Sequence, residues 1–422
     1  MPSPRTPGRF RFLIHALLTL GLVVAVVAIA GRYAPWELSA GNLVLRAQRG
    51  MTHSFPVPPT GELIEVAHRT VGPIEDQDRP SNVIVMIGDG MGIGQVSSTS
   101  YLLRGPRGGL VLETAPSTGL MKTHAGNLLV TDSAASATAM ATGFKVPKKA
   151  ISVLSDGRVP ITLFEAARAA GFATGVITTS GLVDATPAGF TAHQLKREHY
   201  PEILGDMLGR GDEILIGGDW SDYRKALKNS DFQEELAQLD SRAASAGYTL
   251  VREPSQLSSV EGRVLALFPP RGKGGDAHGP ELEVVTSFAL ERLAATGRRF
   301  VLLIESEVTD GMGHDNDIAG LTEGVRELDA ALAAALSWAE PRNDTLILVT
   351  ADHDTGGLGI VDGDYSDGVA KLRWATAEHT AQWVPVFAFG PGAEHFTGVI
   401  DNTDLGVLAA ELLAIEGFPG LQ

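Results

Sequence analysis

From Ser81 to the C-terminus, short runs of apolar, β-branched residues alternate with Ala- and Leu-rich stretches of helical length. That alternation restricts the chain to an α/β architecture with a largely parallel sheet. Strands are expected at Val83–Ile87, Thr174–Thr178, Phe300–Ile304, Thr345–Thr350 and Val384–Phe389. Helices are expected at Ser133–Thr142, Ile161–Ala170, Glu281–Ala295, Leu321–Ala339 and Thr403–Ile415. The expected fold is a three-layer sandwich, with a central sheet and helices on both faces. Residues 220–280 are more polar and less regular, and read as a peripheral insertion rather than a separate domain. No internal repeat is visible.

In an open parallel sheet, ligands bind beyond the carboxyl ends of the strands, and those ends carry chemistry here. The first strand ends in Gly88-Asp89-Gly90. The second is followed by Asp184-Ala185-Thr186, and the third by Glu305, with Asp310 and His314 just beyond. The fourth ends in Asp352-His353, and His379 lies just before the last strand. Taken singly, an Asp after a strand is usually a turn or cap residue, and a lone His is usually solvated. Recurrence at four strand ends is what that plain reading explains poorly. His with carboxylate suits zinc; all-oxygen sets such as Asp, Glu and Thr suit magnesium. Asp310 and His314, four apart, share one face of a helical turn. Two metals close together can clamp the attacking and leaving oxygens of a phosphoryl transfer.

Composition excludes several classes. With 44% hydrophobic and 20% charged residues, a packed core is expected and wholesale disorder is not. The 34 basic and 50 acidic side chains give a formal charge of -16, the wrong sign for a nucleic-acid binder. Cysteine is absent, so any transition-metal site must use His, Asp and Glu. Arg5, Arg9 and Arg11 precede an uncharged run from Phe12 to Ala30, close to the roughly 20 residues that span a bilayer. The run reads as a signal anchor or, given Ala28-Ile29-Ala30, as a cleaved signal peptide. Either sends the rest of the chain out of the cytoplasm, to the periplasm or the outer face of the cytoplasmic membrane. Residues 1–30 are thus expected to be a leader, 31–80 a Pro-rich connecting arm, and 81–422 the domain that carries the strand-end residues.

Ser133 lies in Thr131-Asp132-Ser133-Ala134-Ala135-Ser136-Ala137-Thr138-Ala139, at the start of an Ala-rich helix. Free N–H groups and the helix dipole favour an anion there. On local sequence alone an ordinary N-cap serine is the simpler reading. Together with Ile87-Gly88-Asp89-Gly90-Met91-Gly92, Asp184-Ala185-Thr186-Pro187-Ala188 and Thr350-Ala351-Asp352-His353, however, the serine string resembles the alkaline phosphatase family. The resemblance runs from about Asn82 to the C-terminus, with the motifs in the family's order.

The resemblance implies hydrolysis of small phosphate monoesters to an alcohol and inorganic phosphate through a phosphoserine at Ser133, with two zinc ions and one magnesium. It implies that Asp89, Asp352 and His353 hold the zinc next to Ser133, and that Asp310, His314 and His379 hold the other. Asp89, Thr186 and Glu305 would hold magnesium, with Asp184 reaching it through water. Arg197 would grip two phosphate oxygens, and Asp132 would orient Arg197. A homodimer is compatible with the resemblance, and the membrane is a partner through residues 12–30 if the leader is retained.

Two positions depart from the family's pattern. After the magnesium glutamate, where the family usually has a small residue or an Arg-bearing segment, the chain reads Ser306-Glu307-Val308-Thr309, with an extra carboxylate at Glu307. After Asp310, where relatives often carry Lys, His or Trp, stands Gly311. Both bear on the third metal. A dinucleotide-binding reading of Gly88–Gly94 fails because Ile93 stands where the third glycine is needed. A Ser-His-Asp triad lacks its Gly-x-Ser-x-Gly elbow. A phosphodiesterase or sulfatase on the same scaffold is disfavoured by Arg197, which occupies the region a diester's second substituent would need. A decayed binding protein would not retain Ser133, Arg197 and a full ligand set.

Overall fold

The apolar runs form strands buried along their whole length, as expected for a sheet covered on both faces. A computed structural model of the chain describes residues 67–69, 74–219, 230–269, 279–364, 366 and 368–422. The apolar run Phe12–Ala30 and most of the connecting arm lie outside those residues. Among the described residues, no helix is long and apolar enough to cross a membrane.

In chain order the first half contains β1 (Asn82–Gly88), α1 (Ile93–Arg104), β2 (Ser117–Lys122), α2 (Ser133–Thr142), α3 (Leu163–Ala169), β3 (Ala173–Gly181), α4 (Ala185–Thr191), α5 (Tyr200–Arg210) and β4 (Ile214–Gly218). Next come α6 (Ser230–Ala237), α7 (Leu239–Ser245), β5 (Tyr248–Val251), β6 (Arg263–Phe268), α8 (Leu282–Ala295), β7 (Phe300–Ser306), α9 (Val308–His314) and α10 (Ile318–Ala339). The chain closes with β8 (Thr345–Thr350), β9 (Asp354–Thr355), β10 (Gly359–Asp364), β11 (Val369–Arg373), β12 (His379–Thr380), β13 (Val384–Phe389), β14 (Gly398–Asp401) and α11 (Asn402–Leu412).

Ten strands form one sheet in the order β14-β2-β13-β8-β1-β7-β3-β4-β6-β5. β1 lies at its centre, parallel to both β7 and β8, with Ile84 opposite Leu302 and Ile347. Val83, Ile84, Val85, Met86 and Ile87 are wholly buried. Each such side chain contributes about 1.5–3 kcal/mol by leaving water, which helps offset the cost of the polar rim above it. One helical layer, α1, α8 and α10, and a second, α2, α3, α4 and α11, complete the three-layer sandwich.

The expected insertion and the start of α10 differ from the sequence reading. The segment expected as an irregular insertion supplies β5 and β6, which extend the sheet beyond β4. Its apolar run Arg263–Phe268 was obscured by polar flanks. β13 is also the one reversed strand, antiparallel to β8 and β2. Reversal brings its amino end to the rim where its neighbours present carboxyl ends, and so delivers His379 to that rim. Helix starts follow caps. α10 begins at Ile318, three residues early, because the Asp317 carboxylate accepts from the Ala319 N–H at 3.0 Å.

Candidate active site

The loop after β1 is where the rim is tied together. The Asp89 N–H donates to the Ser306 carbonyl at 2.9 Å, and the Thr309 hydroxyl donates to the Asp89 carbonyl. The Gly90 N–H donates to Asp352 Oδ1 at 3.1 Å. Gly90 has φ +68, and a Cβ there would meet Thr355 Oγ1 at 2.6 Å. Only glycine satisfies both conditions, so the loops after β1, β7 and β8 can close on one another.

Within this rim, Asp89, Asp352 and His353 each bring a ligand atom into one group, all within 4.8 Å of one another. His353 Nε2 lies 3.4 Å from Asp89 Oδ1 and 3.1 Å from Asp352 Oδ2. A second group holds Asp310, His353 and His379. His314 adjoins it, with Nε2 3.1 Å from His379 Nε2 and 3.4 Å from Asp310 Oδ2. His353 stacks on His379, with ring centroids 3.6 Å apart, and so belongs to both groups. The sequence reading had given it to one. A third group holds Asp89, Glu305 and Glu307. Glu307 was absent from the expected ligand set. Asp184 joins none of these groups. Asp184 caps α4 and accepts from the Ser180 hydroxyl at 2.7 Å, while Thr186 lies against Glu305.

The imidazoles are set to offer Nε2. His314 Nδ1 donates to the Ala377 carbonyl at 2.6 Å, and His379 Nδ1 to the Thr131 carbonyl at 3.0 Å. A carbonyl only accepts, so each proton sits on Nδ1 and the Nε2 lone pair faces inward. Thr355 donates its hydroxyl to Asp310 at 2.5 Å and lies 3.2 Å from His353 Nδ1, which fixes the third ring likewise.

Such crowding has an electrostatic cost. Burial and the neighbouring Asp352 push Asp89 well above the usual carboxylate range. Burial pushes Asp352 up to about 7 and Glu305 up to about 8. It also drives His353 well below the usual imidazole value. Asp89 Oδ1 and Asp352 Oδ2 are buried yet accept no hydrogen bond. Buried carboxylate oxygens without donors, facing imidazole lone pairs, are the donor set a divalent cation requires.

Ser133 is the first residue of α2. Asp132 caps that helix, with Oδ1 accepting from the Ala135 N–H at 3.2 Å and from the Lys149 N–H at 3.1 Å. Ser133 Oγ lies 3.3 Å from His353 Nε2. Arg197 Nη2 donates to Asp184 Oδ1 at 2.9 Å, and Nη1 lies 3.6 Å from Asp132 Oδ2. Burial alone would lower the Arg197 pKa, but Asp184 and Asp132 outweigh it and raise it above its ordinary value. The Arg197 backbone N–H is held by the Lys149 carbonyl at 2.8 Å. Lys149 itself has φ +74, an uncommon conformation for a side-chain-bearing residue. A hollow of ≈ 340 Å³ lined by Val130, Asp132, Lys148, Lys149, Arg197 and His379 opens onto these groups.

Carboxylates packed this closely call for bound cations, and a serine at a helix start beside them suits the transfer of an anionic group; the class so defined is a metal-dependent hydrolase. Residues 80–371 match the family model for alkaline phosphatase. The chain is 31% identical over 410 residues to alkaline phosphatase 3 of Bacillus subtilis, across 78% of this chain and 88% of that protein. It is 32% identical over 406 residues to streptomycin-6-phosphate phosphatase of Streptomyces griseus, across 78% and 90%. The solved alkaline phosphatase of the Antarctic bacterium TAB5 aligns with a TM-score of 0.71 at 29% identity, covering 80% of this chain and 99% of that one. A mutant of the TAB5 enzyme has been solved with Mg bound in its M3 site. The chain belongs to the alkaline phosphatase family and is a phosphatase acting on phosphate monoesters.

The departure at Gly311 is open to test. Nothing lies within 4 Å of where its Cβ would be, so a side chain can leave the backbone there without a clash. An ammonium beside the phosphate-binding groups strengthens product binding as well as substrate binding, because both carry similar charge. Gly311→Lys is expected to tighten inhibition by inorganic phosphate and to lower turnover. Combination with Glu307→Ala, assayed at saturating magnesium because Glu307 adjoins Asp89 and Glu305, removes any pairing between the new Lys and Glu307. If neither Lys-bearing protein binds phosphate more tightly than wild type, Gly311 does not set product affinity.

Proposed function

We propose that this phosphatase works through a phosphoserine at Ser133, with two zinc ions and one magnesium. Asp89, Asp352 and His353 would hold one zinc, and Asp310, His314 and His379 the other. Magnesium would take Asp89, Thr186 and Glu305, with Asp184 reaching it through water. When bound, these cations would supply positive charge to the attacking and leaving oxygens and favour the deprotonated serine.

The residues do the rest. Arg197, braced by Asp132 and Asp184, presents a planar fork to two phosphate oxygens and orients the phosphorus toward Ser133. Ser133 Oγ attacks, its bond to phosphorus forming as the ester P–O bond breaks, and the alcohol leaves with a proton. Water then attacks the phosphoserine, restoring the serine hydroxyl and releasing phosphate. Dividing hydrolysis into two steps permits modest leaving-group specificity. The free N–H groups at the start of α2 add to the field that holds the dianion.

The observation that carries this reading is the approach of Ser133 Oγ to His353 Nε2, at the junction of both mixed ligand groups. Metal content measured alongside turnover of an aryl phosphate tests it. Chelation is expected to abolish turnover, and zinc with magnesium to restore it. Undiminished turnover by metal-free protein would overturn the scheme. The basic flank and apolar run at residues 5–30 support export of this enzyme beyond the cytoplasm.

A further inference from the structure

The third ligand group differs from the set the resemblance implies. Glu307 enters it beside Asp89 and Glu305, so three carboxylates converge at one point, with the buried Thr186 hydroxyl against Glu305. Glu307 occupies the N-cap position of α9, yet its side chain makes no cap hydrogen bond. Its N–H instead donates to Thr179 Oγ1 at 2.9 Å, which pins the backbone and leaves the carboxylate turned toward Asp89. Glu305 is fixed from its other side, by the Thr178 hydroxyl at 2.5 Å. Asp89 is only 2% exposed, and its Oδ1 accepts no hydrogen bond. Among the described residues, no His belongs to the group.

Three anionic side chains held together at the end of buried strands repel one another strongly unless positive charge lies between them. Water compensates poorly where the oxygens are enclosed. A divalent cation with a preference for oxygen does so directly, and magnesium is such a cation.

We propose that Glu307 is a further direct ligand of the third cation, joining Asp89, Glu305 and Thr186, and that its carboxylate tightens magnesium binding there. The proposal rests on the metal-dependent reading above. The mixed nitrogen and oxygen sets on the histidine side remain suited to zinc, while this side gains negative charge and no nitrogen. Three carboxylates exceed the charge of one divalent ion, so magnesium should be retained at lower free concentrations than a two-carboxylate site allows.

The test uses zinc-loaded full-length protein titrated with MgCl2 in a calorimeter. Glu307→Gln keeps the side chain's size and removes its charge. Magnesium binding is expected to weaken at least tenfold, with zinc content unchanged. Glu305→Gln, which removes an expected ligand, serves as the comparison. Thermal melting gives a second readout. Removing one of three like charges should leave the metal-free Glu307→Gln protein at least as stable as wild type, while the rise in Tm on adding magnesium should shrink. Wild-type magnesium affinity in Glu307→Gln, beside a loss in Glu305→Gln, would overturn the assignment. Turnover of an aryl phosphate on the same wild-type sample keeps the two readings apart. Its absence would sink the phosphatase mechanism, while the magnesium comparison would still decide the role of Glu307.

Discussion

Ser133→Ala is expected to lower turnover of aryl phosphates by on the order of 10³-fold or more, because it removes the atom on which the proposed two-step route depends. The substitution should leave the fold intact. Asp132, not Ser133, caps α2, and alanine is a good helix former at the first helical position. Residual rate would come from Arg197 and the bound cations acting on water directly. Acid quench with labelled substrate should place label on Ser133 in wild type and none in the variant. Full turnover by Ser133→Ala, or no label on wild-type Ser133, would contradict the phosphoserine.

Arg197→Ala is expected to cost about 2–5 kcal/mol of transition-state stabilisation for monoesters, roughly 30- to 5,000-fold in kcat/KM. Part of that cost arises because Asp132 and Asp184 lose the guanidinium they both face. Arg197→Lys keeps the charge but not the fork, and should fall between the two. Diesters offer fewer free oxygens to grip, so their slower hydrolysis should suffer much less. Equal losses for both substrate classes would mean that Arg197 does not discriminate between them.

Much of this site could be read from the chain because its parts sit at strand ends, and strand ends are legible. Asp89, Glu305 and Asp352 follow runs of β-branched residues, and the sheet's topology gathers whatever lies there. Direction was not legible. The run Val384–Phe389 reads the same in either orientation, so the sequence could place His379 next to a strand without saying that the strand is reversed. The sharing of His353 between two groups depends on its stacking against His379, a contact that spacing does not encode. Glu307 was visible only as a misfit. Its role turns on one backbone step: the chain leaves β7 at Ser306 and takes a helical conformation at Glu307, with φ -78 and ψ -20, which rotates the carboxylate toward Asp89. No periodicity announces such a step. The expected leader, residues 1–30, lies outside the described residues, and its reading rests on charge and apolar length.

The central position of β1 has a consequence for how the molecule comes into being. Its two partners in the sheet, β7 and β8, are made more than two hundred residues later in the chain. The first strand's partners are therefore made late, and α2 with Ser133 is made well before Glu305, Asp310, Asp352, His353 and His379. Pairings of such long range close slowly, because loop entropy is lost before contacts repay it. Until β13 is seated, His379 is absent from the rim and the second ligand group is incomplete. Cations that bind only the finished arrangement then act as a latch, drawing the last steps of folding forward by mass action. A nascent, incomplete chain should thus be inert toward phosphate esters, and activity should appear abruptly, with the arrival of the final strands and the metals together.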